Sequence, residues 1–177
     1  MKKIKIMLAS LLVLFGLGIK NVSALNEDHN QLNIDTNESY FDENGNYYNP
    51  ETGEYFYWSN PNSRATSKVF SFKIQKSVTS NSFKLKDVTA KVKVYSVKFE
   101  KDNGSSATCC SNHRFTVNLR REGLSNNEAV FYAPFSSTKT VSLGGGFSTS
   151  ASYVVQIGNN SPLPNGIYLV GSGEIAS

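Results

Sequence analysis

Alternation of apolar and polar residues governs this chain from Val69 onward, and a period of two restricts what it can form to β-strands. Phe70, Phe72 and Ile74 share one face, with Ser71, Lys73 and Gln75 on the other. Phe83 and Leu85 alternate with Lys84 and Lys86, and Val88, Ala90, Val92 and Val94 alternate with Thr89, Lys91, Lys93 and Tyr95. The apolar phase then flips to Val97 and Phe99, which requires either a β-bulge or a strand that crosses between sheets. Phe115, Val117 and Leu119 alternate with Arg114, Thr116, Asn118 and Arg120. Less regular runs at 129–132, 141–143, 147–157 and 167–170 bring the total to about eight strands, with no persuasive helical period from residue 69 onward. The pattern predicts an all-β fold, an antiparallel β-sandwich in which each strand keeps one wet face.

The N-terminus sets the expected compartment. Lys2, Lys3 and Lys5 precede an apolar run from Ile6 to Ile19, and Val22-Ser23-Ala24 supplies small residues for cleavage. Residues 1–24 therefore read as a secretory signal peptide of bacterial type, followed by a secreted, extracellular chain. The run is short for a membrane span and no second one follows, so no transmembrane segment is expected after its removal.

Charge must then be recounted. The whole chain carries 18 Lys and Arg against 14 Asp and Glu, but residues 1–24 hold four of the lysines and no acid. The calculated pI of about 9.0 thus belongs to the leader, and nucleic acid is not an expected partner. Residues 25–66 carry eight acids against Arg64 alone, whereas residues 67–177 carry thirteen bases against six acids. This split predicts an acidic, Tyr- and Asn-rich arm over 25–66, partly disordered, ahead of a sandwich domain over 67–177.

Within the arm, Tyr40-Phe41-Asp42-Glu43-Asn44-Gly45-Asn46-Tyr47 is followed directly by Tyr48-Asn49-Pro50-Glu51-Thr52-Gly53-Glu54-Tyr55. Each unit of this octamer repeat, residues 40–55, places turn formers and a glycine between aromatic residues, as tight hairpins require. The run ending in Tyr55-Phe56-Tyr57-Trp58 resembles the aromatic octamer repeats of the peptide-binding OCRE domain, with fewer repeats than that family uses, and no function is carried over. The aromatic residues Tyr40, Tyr47, Tyr48, Tyr55, Tyr57 and Trp58 are candidates for packing or binding.

Lys84, Lys86, Lys91, Lys93, Arg114 and Arg120 fall on the non-core phase of their strands and form one basic face if those strands are neighbours. Such a face suits an anionic surface polymer, lipid headgroups, another protein or the acidic arm itself; solubility alone is the plainer explanation of any single lysine. Cys109 and Cys110 are adjacent in an exported chain, so a vicinal disulfide is expected, ahead of interchain bridges or free thiols. A catalytic Cys–His113 pair or a metal site of two Cys and one His has an unfamiliar spacing, and neither a catalytic residue, a metal nor a cofactor is expected. The glycines at 144–146 read as a hairpin tip, since no helix pattern follows to cradle a phosphate. The expected function is non-enzymatic binding at a cell surface or envelope. A membrane-active toxin or bacteriocin-like protein is the alternative, and a secreted hydrolase comes third.

Overall fold

The computed structural model describes residues 40–59, 67–121 and 127–177; the expected signal peptide and residues 25–39 lie outside them. The strands begin with β1 (Tyr40–Phe41), β2 (Tyr47–Tyr48), β3 (Tyr55–Trp58), β4 (Ser67–Ile74), β5 (Ser77–Thr79) and β6 (Phe83–Lys84). They continue with β7 (Thr89–Lys101), β8 (His113–Arg120), β9 (Asn127–Ala133), β10 (Lys139–Gly145), β11 (Ser152–Asn159) and β12 (Ile167–Ala176). Two antiparallel sheets result. One runs β1-β2-β3-β4-β12-β7-β10, and the other β5-β11-β8-β9, with β6 also paired to β11.

The sandwich follows from the alternation. Phe70, Phe72 and Ile74 of β4 and Val92 and Val94 of β7 turn inward and lose all contact with water. They meet Phe115, Val117 and Leu119 of β8 and Val155 and Ile157 of β11, which are at most 1% exposed. Phe72 and Phe115 touch across the layers at 6.2 Å between centroids. Each such side chain contributes about 1.5–3 kcal/mol through burial, so the inner face is what holds the layers together.

The phase flip in β7 is a bulge. Ser96 pairs with Ser172 and Val94 with Gly173, leaving Tyr95 as the extra residue, and all thirteen residues of β7 stay in one sheet. On β12, Glu174 accepts a hydrogen bond from the Tyr95 hydroxyl at 2.6 Å and another from the Lys93 ammonium, which fixes the bulged residue on the outer face. β12 needs glycine on its inner face. A Cβ on Gly173 would sit 2.4 Å from the Lys93 carbonyl oxygen and 2.9 Å from the Phe70 ring.

Residues 40–58 depart from the expectation of a separate arm: they are part of the large sheet. β3 pairs with β4, placing Tyr55 opposite Lys73 and Trp58 opposite Phe70, and β1 and β2 extend the same sheet. The physical cause is twofold. An open β4 edge offers unpaired backbone groups, and Tyr55-Phe56-Tyr57-Trp58 itself alternates, with Phe56 wholly buried and Trp58 5% exposed. The octamer turns form as their residues require. Asp42 Oδ1 accepts the Asn44 and Asn46 amides, both at 2.9 Å, and Gly45 takes a φ of 75°. With these strands the described residues hold twelve strands rather than about eight.

Candidate functional site

Trp58 closes β3, and three neighbours set its indole. Its ring meets Phe56 edge-on at 4.8 Å and Phe83 at 5.3 Å. Its Nε1 donates to Asn81 Oδ1 at 2.8 Å, and its backbone N–H donates to Asn46 Oδ1 at 2.8 Å. Gly45 packs directly under Asn81, where a Cβ would overlap the amide nitrogen at 1.9 Å. The octamer turn, the loop after β5 and the end of β3 thus converge on one side chain.

Beside this indole lies a cavity of about 260 Å³. Trp58, Phe83, Asn44, Asn81 and Ser82 line it together with three lysines, Lys68, Lys84 and Lys86. The Lys68 ammonium stands 5.9 Å from the Trp58 ring centroid, within cation–π range. Burial holds Lys68 below its usual pKa, and the charge of Lys86 lowers it further. No Asp or Glu is among the described residues lining this cavity. Three ammonium groups, two amides, a hydroxyl and an aromatic wall make an arrangement that can hold an anionic group and pack a ring or alkyl segment next to it.

The six bases read from the sequence as one face do not form one. Lys84 and Lys86 border the cavity, on β6 and just after it. Lys91 and Lys93 lie on β7, on the outer side of the seven-stranded sheet, and Arg114 and Arg120 lie on β8, in the other sheet. Arg114 is paired with Glu128 at 2.8 Å, and Arg120 donates to Gln156 at 2.9 Å. The single-face expectation required β7 and β8 to be neighbours, whereas β7 pairs with β12 and β10.

The aromatic residues divide similarly. Tyr47 is buried, and Tyr48 and Tyr57 are exposed. Tyr55 stacks on Tyr57 with centroids 4.6 Å apart, out of phase with Trp58 and so on the opposite side of the sheet. Tyr40 pairs with Tyr48 through the backbone. Cys109 and Cys110 form a disulfide in the connection between β7 and β8. His113 is buried, shares a 3.0 Å hydrogen bond with Asn159 and packs edge-on against Phe99. Among the described residues no three His, Cys, Asp or Glu gather as metal ligands would, and no helix is long and apolar enough to cross a membrane.

No protein-family model and no curated protein matches this sequence. Solved structures resemble it in shape alone. TmCBM61, seen with β-1,4-galactotriose, has 9% identity and a TM-score of 0.36, with 78% of this chain and 85% of that one covered. A family 16 carbohydrate-binding module has 11% identity and a TM-score of 0.32, covering 75% and 86%. The Drosophila melanogaster CENP-C cupin domain has 12% identity and a TM-score of 0.30, covering 78% and 82%. Likeness at this level assigns no ligand to this chain.

Sequence reading picked out Lys84, Lys86 and Trp58 but missed Lys68, Asn44 and Asn81. A signal existed for Lys68. It occupies the same phase as Phe70, Phe72 and Ile74, and a lysine on the inner phase at the start of a strand marks a place where the core opens to solvent.

Proposed function

We propose that this protein is an exported, non-enzymatic β-sandwich that binds an anionic polymer at a cell surface, using the cavity beside Trp58. The observation that carries this reading is the convergence of Lys68, Lys84 and Lys86 on an indole held by Asn81. Burial, and after it the like charge of Lys86, disfavours the charged form of Lys68, and an entering anion would favour that form. Trp58 and Phe83, 5% and 9% exposed, present a narrow apolar rim beside the charges, which suits an anionic group carried on a ring or chain.

Calorimetric titration of the chain from Leu25 with polygalacturonate, and with neutral dextran as control, tests this proposal. Binding to the polyanion, weakened by added salt and absent with dextran, is expected. Exposed ion pairs contribute up to about 1 kcal/mol each, so the double substitution Lys84→Gln and Lys86→Gln should weaken binding about tenfold. Equal heats for both polymers, or affinity untouched by the double substitution, would reject the site. Dye release from anionic liposomes at the same concentrations would instead favour a membrane-active protein.

A further inference from the structure

A second cavity opens at the far end of β7, around the disulfide that the anionic site does not use. We infer that this cleft is a separate binding site for a neutral, hydroxylated ring, a hexose residue being the fitting chemical class.

The local fold builds the cleft from a short return of the chain. After β7 the backbone turns at Lys101–Gly104, with the Gly104 amide donating to the Lys101 carbonyl at 2.9 Å. It then runs back beside β7, where the Ala107 amide donates to the Phe99 carbonyl at 2.9 Å. This return carries Cys109 and Cys110 against the core, and Phe99, the disulfide and Pro134 become the walls of a cleft of about 400 Å³. That size falls within the range of roughly 300–1,000 Å³ in which small-molecule sites are found.

The lining divides into two kinds. The joined sulfurs, with Ala107 and Pro134, offer apolar surface with few hydrogen-bonding demands, and Phe99, 4% exposed, lies behind them. Ser106, Thr108 and Ser111 add three hydroxyls, each able to donate and accept. A purely apolar ligand would strip water from those hydroxyls without replacing its hydrogen bonds, a net cost. A sugar ring has C–H faces for the first surface and hydroxyl edges for the second.

Charge argues for a neutral ligand. The one cation among the described lining residues, Lys98, already pairs with Glu100 at 2.6 Å, so the charge at the cleft mouth is balanced. The disulfide is what makes the wall. It ties the two sulfurs to each other, and its loss would leave two independently rotating thiols in place of one fixed surface.

The test uses the same chain from Leu25 and its ¹H–¹⁵N spectrum, titrated with methyl glycosides of glucose, galactose and mannose and with glucuronate. At least one neutral glycoside should shift the amides of Phe99 and of 107–111 saturably, at millimolar concentration, while amides near Trp58 stay still. The substitution Thr108→Val should weaken that binding at least threefold, and joint Cys109→Ala and Cys110→Ala at least tenfold, with the remaining spectrum unchanged as the check on folding. If the cysteine pair cannot be replaced without wider change, Thr108→Val alone decides. Silence of these amides with every neutral sugar, shifts confined to the lysine cavity, stronger binding of glucuronate here, or unchanged affinity of Thr108→Val would overturn the inference. Because the methyl glycosides are neutral and the amides distinct, failure here leaves the anionic site standing, and the reverse also holds.

Discussion

Glu54 Oε1 accepts the backbone N–H of Gln75 at 2.8 Å, and the neighbouring amide of Lys76 donates to the same oxygen at 2.9 Å. A buried carboxylate from the octamer repeat therefore satisfies the two amides that the chain presents as it leaves β4. This is where an acidic residue of the expected arm goes: it meets backbone donors, not lysines.

Replacing Glu54 with Ala should cost about 2–3 kcal/mol, since two partly buried amides lose their acceptor. Glu54→Gln keeps one oxygen acceptor and should cost clearly less. Urea denaturation of both variants measures the difference, and equal stability of Glu54→Ala and the parent would show that water replaces the carboxylate without penalty.

Deleting everything before Ser67 removes Phe56 and Trp58 from the core, and truncating side chains of this class to Ala alone costs about 3–5 kcal/mol each. The shortened chain should lose cooperative unfolding and expose apolar surface to a reporter dye. A sharp thermal transition near that of the longer chain would mean that β1–β3 only decorate the sheet.

Gly173→Ala forces a methyl group to within 2.4 Å of a backbone oxygen, where no flexible side chain can yield. A loss of about 2–3 kcal/mol is expected. Thermal melts test it directly; an unchanged melting temperature would show that β12 and β7 can separate freely.

The Tyr95–Glu174–Lys93 contact gives stability a pH signature. Hydrogen bonds from Lys93 and Tyr95 hold the Glu174 carboxyl below its usual range, so its contribution is present at neutral pH and is lost as pH falls below about 4.5. Burial and then the bond to Glu174 raise the Tyr95 hydroxyl to about 12 from an ordinary 10. Its contribution is complete below pH 10 and disappears as pH rises towards 12. Glu174→Gln should flatten the acid limb of a stability-versus-pH curve and bring one tyrosine to ionise earlier in an ultraviolet titration. Superimposable curves for the variant and the parent would remove this contact from the account.

Much of the fold was legible because burial imposes a period of two on any strand with one wet face, and the chain obeys it from Phe70 to Ile157. Even the bulge left a trace in the flip between Val94 and Val97. Two things were hidden. Acid-rich composition masked the alternation of Tyr55 to Trp58, because composition does not reveal that Glu54 spends its charge on backbone amides. Sheet membership was hidden as well. β7 and β8 are consecutive long strands, yet they lie in different layers, so bases with the same phase ended far apart. The cavity combines residues from four separate stretches, at 44, 58, 68 and 81–86; β3 pairs with β4 while β6 pairs with β11, and the contact of Trp58 with Phe83 joins the two.

Trp58 is the one tryptophan in the chain and forms a wall of the proposed site, so its fluorescence reports on that site alone. Titration with polygalacturonate at low salt should change its emission saturably. The midpoint should rise about tenfold in the Lys84→Gln, Lys86→Gln variant and move upward with salt. Polymer binding that leaves the emission of Trp58 unchanged, or a midpoint indifferent to both lysines, would contradict the assignment of this cavity as the anion site.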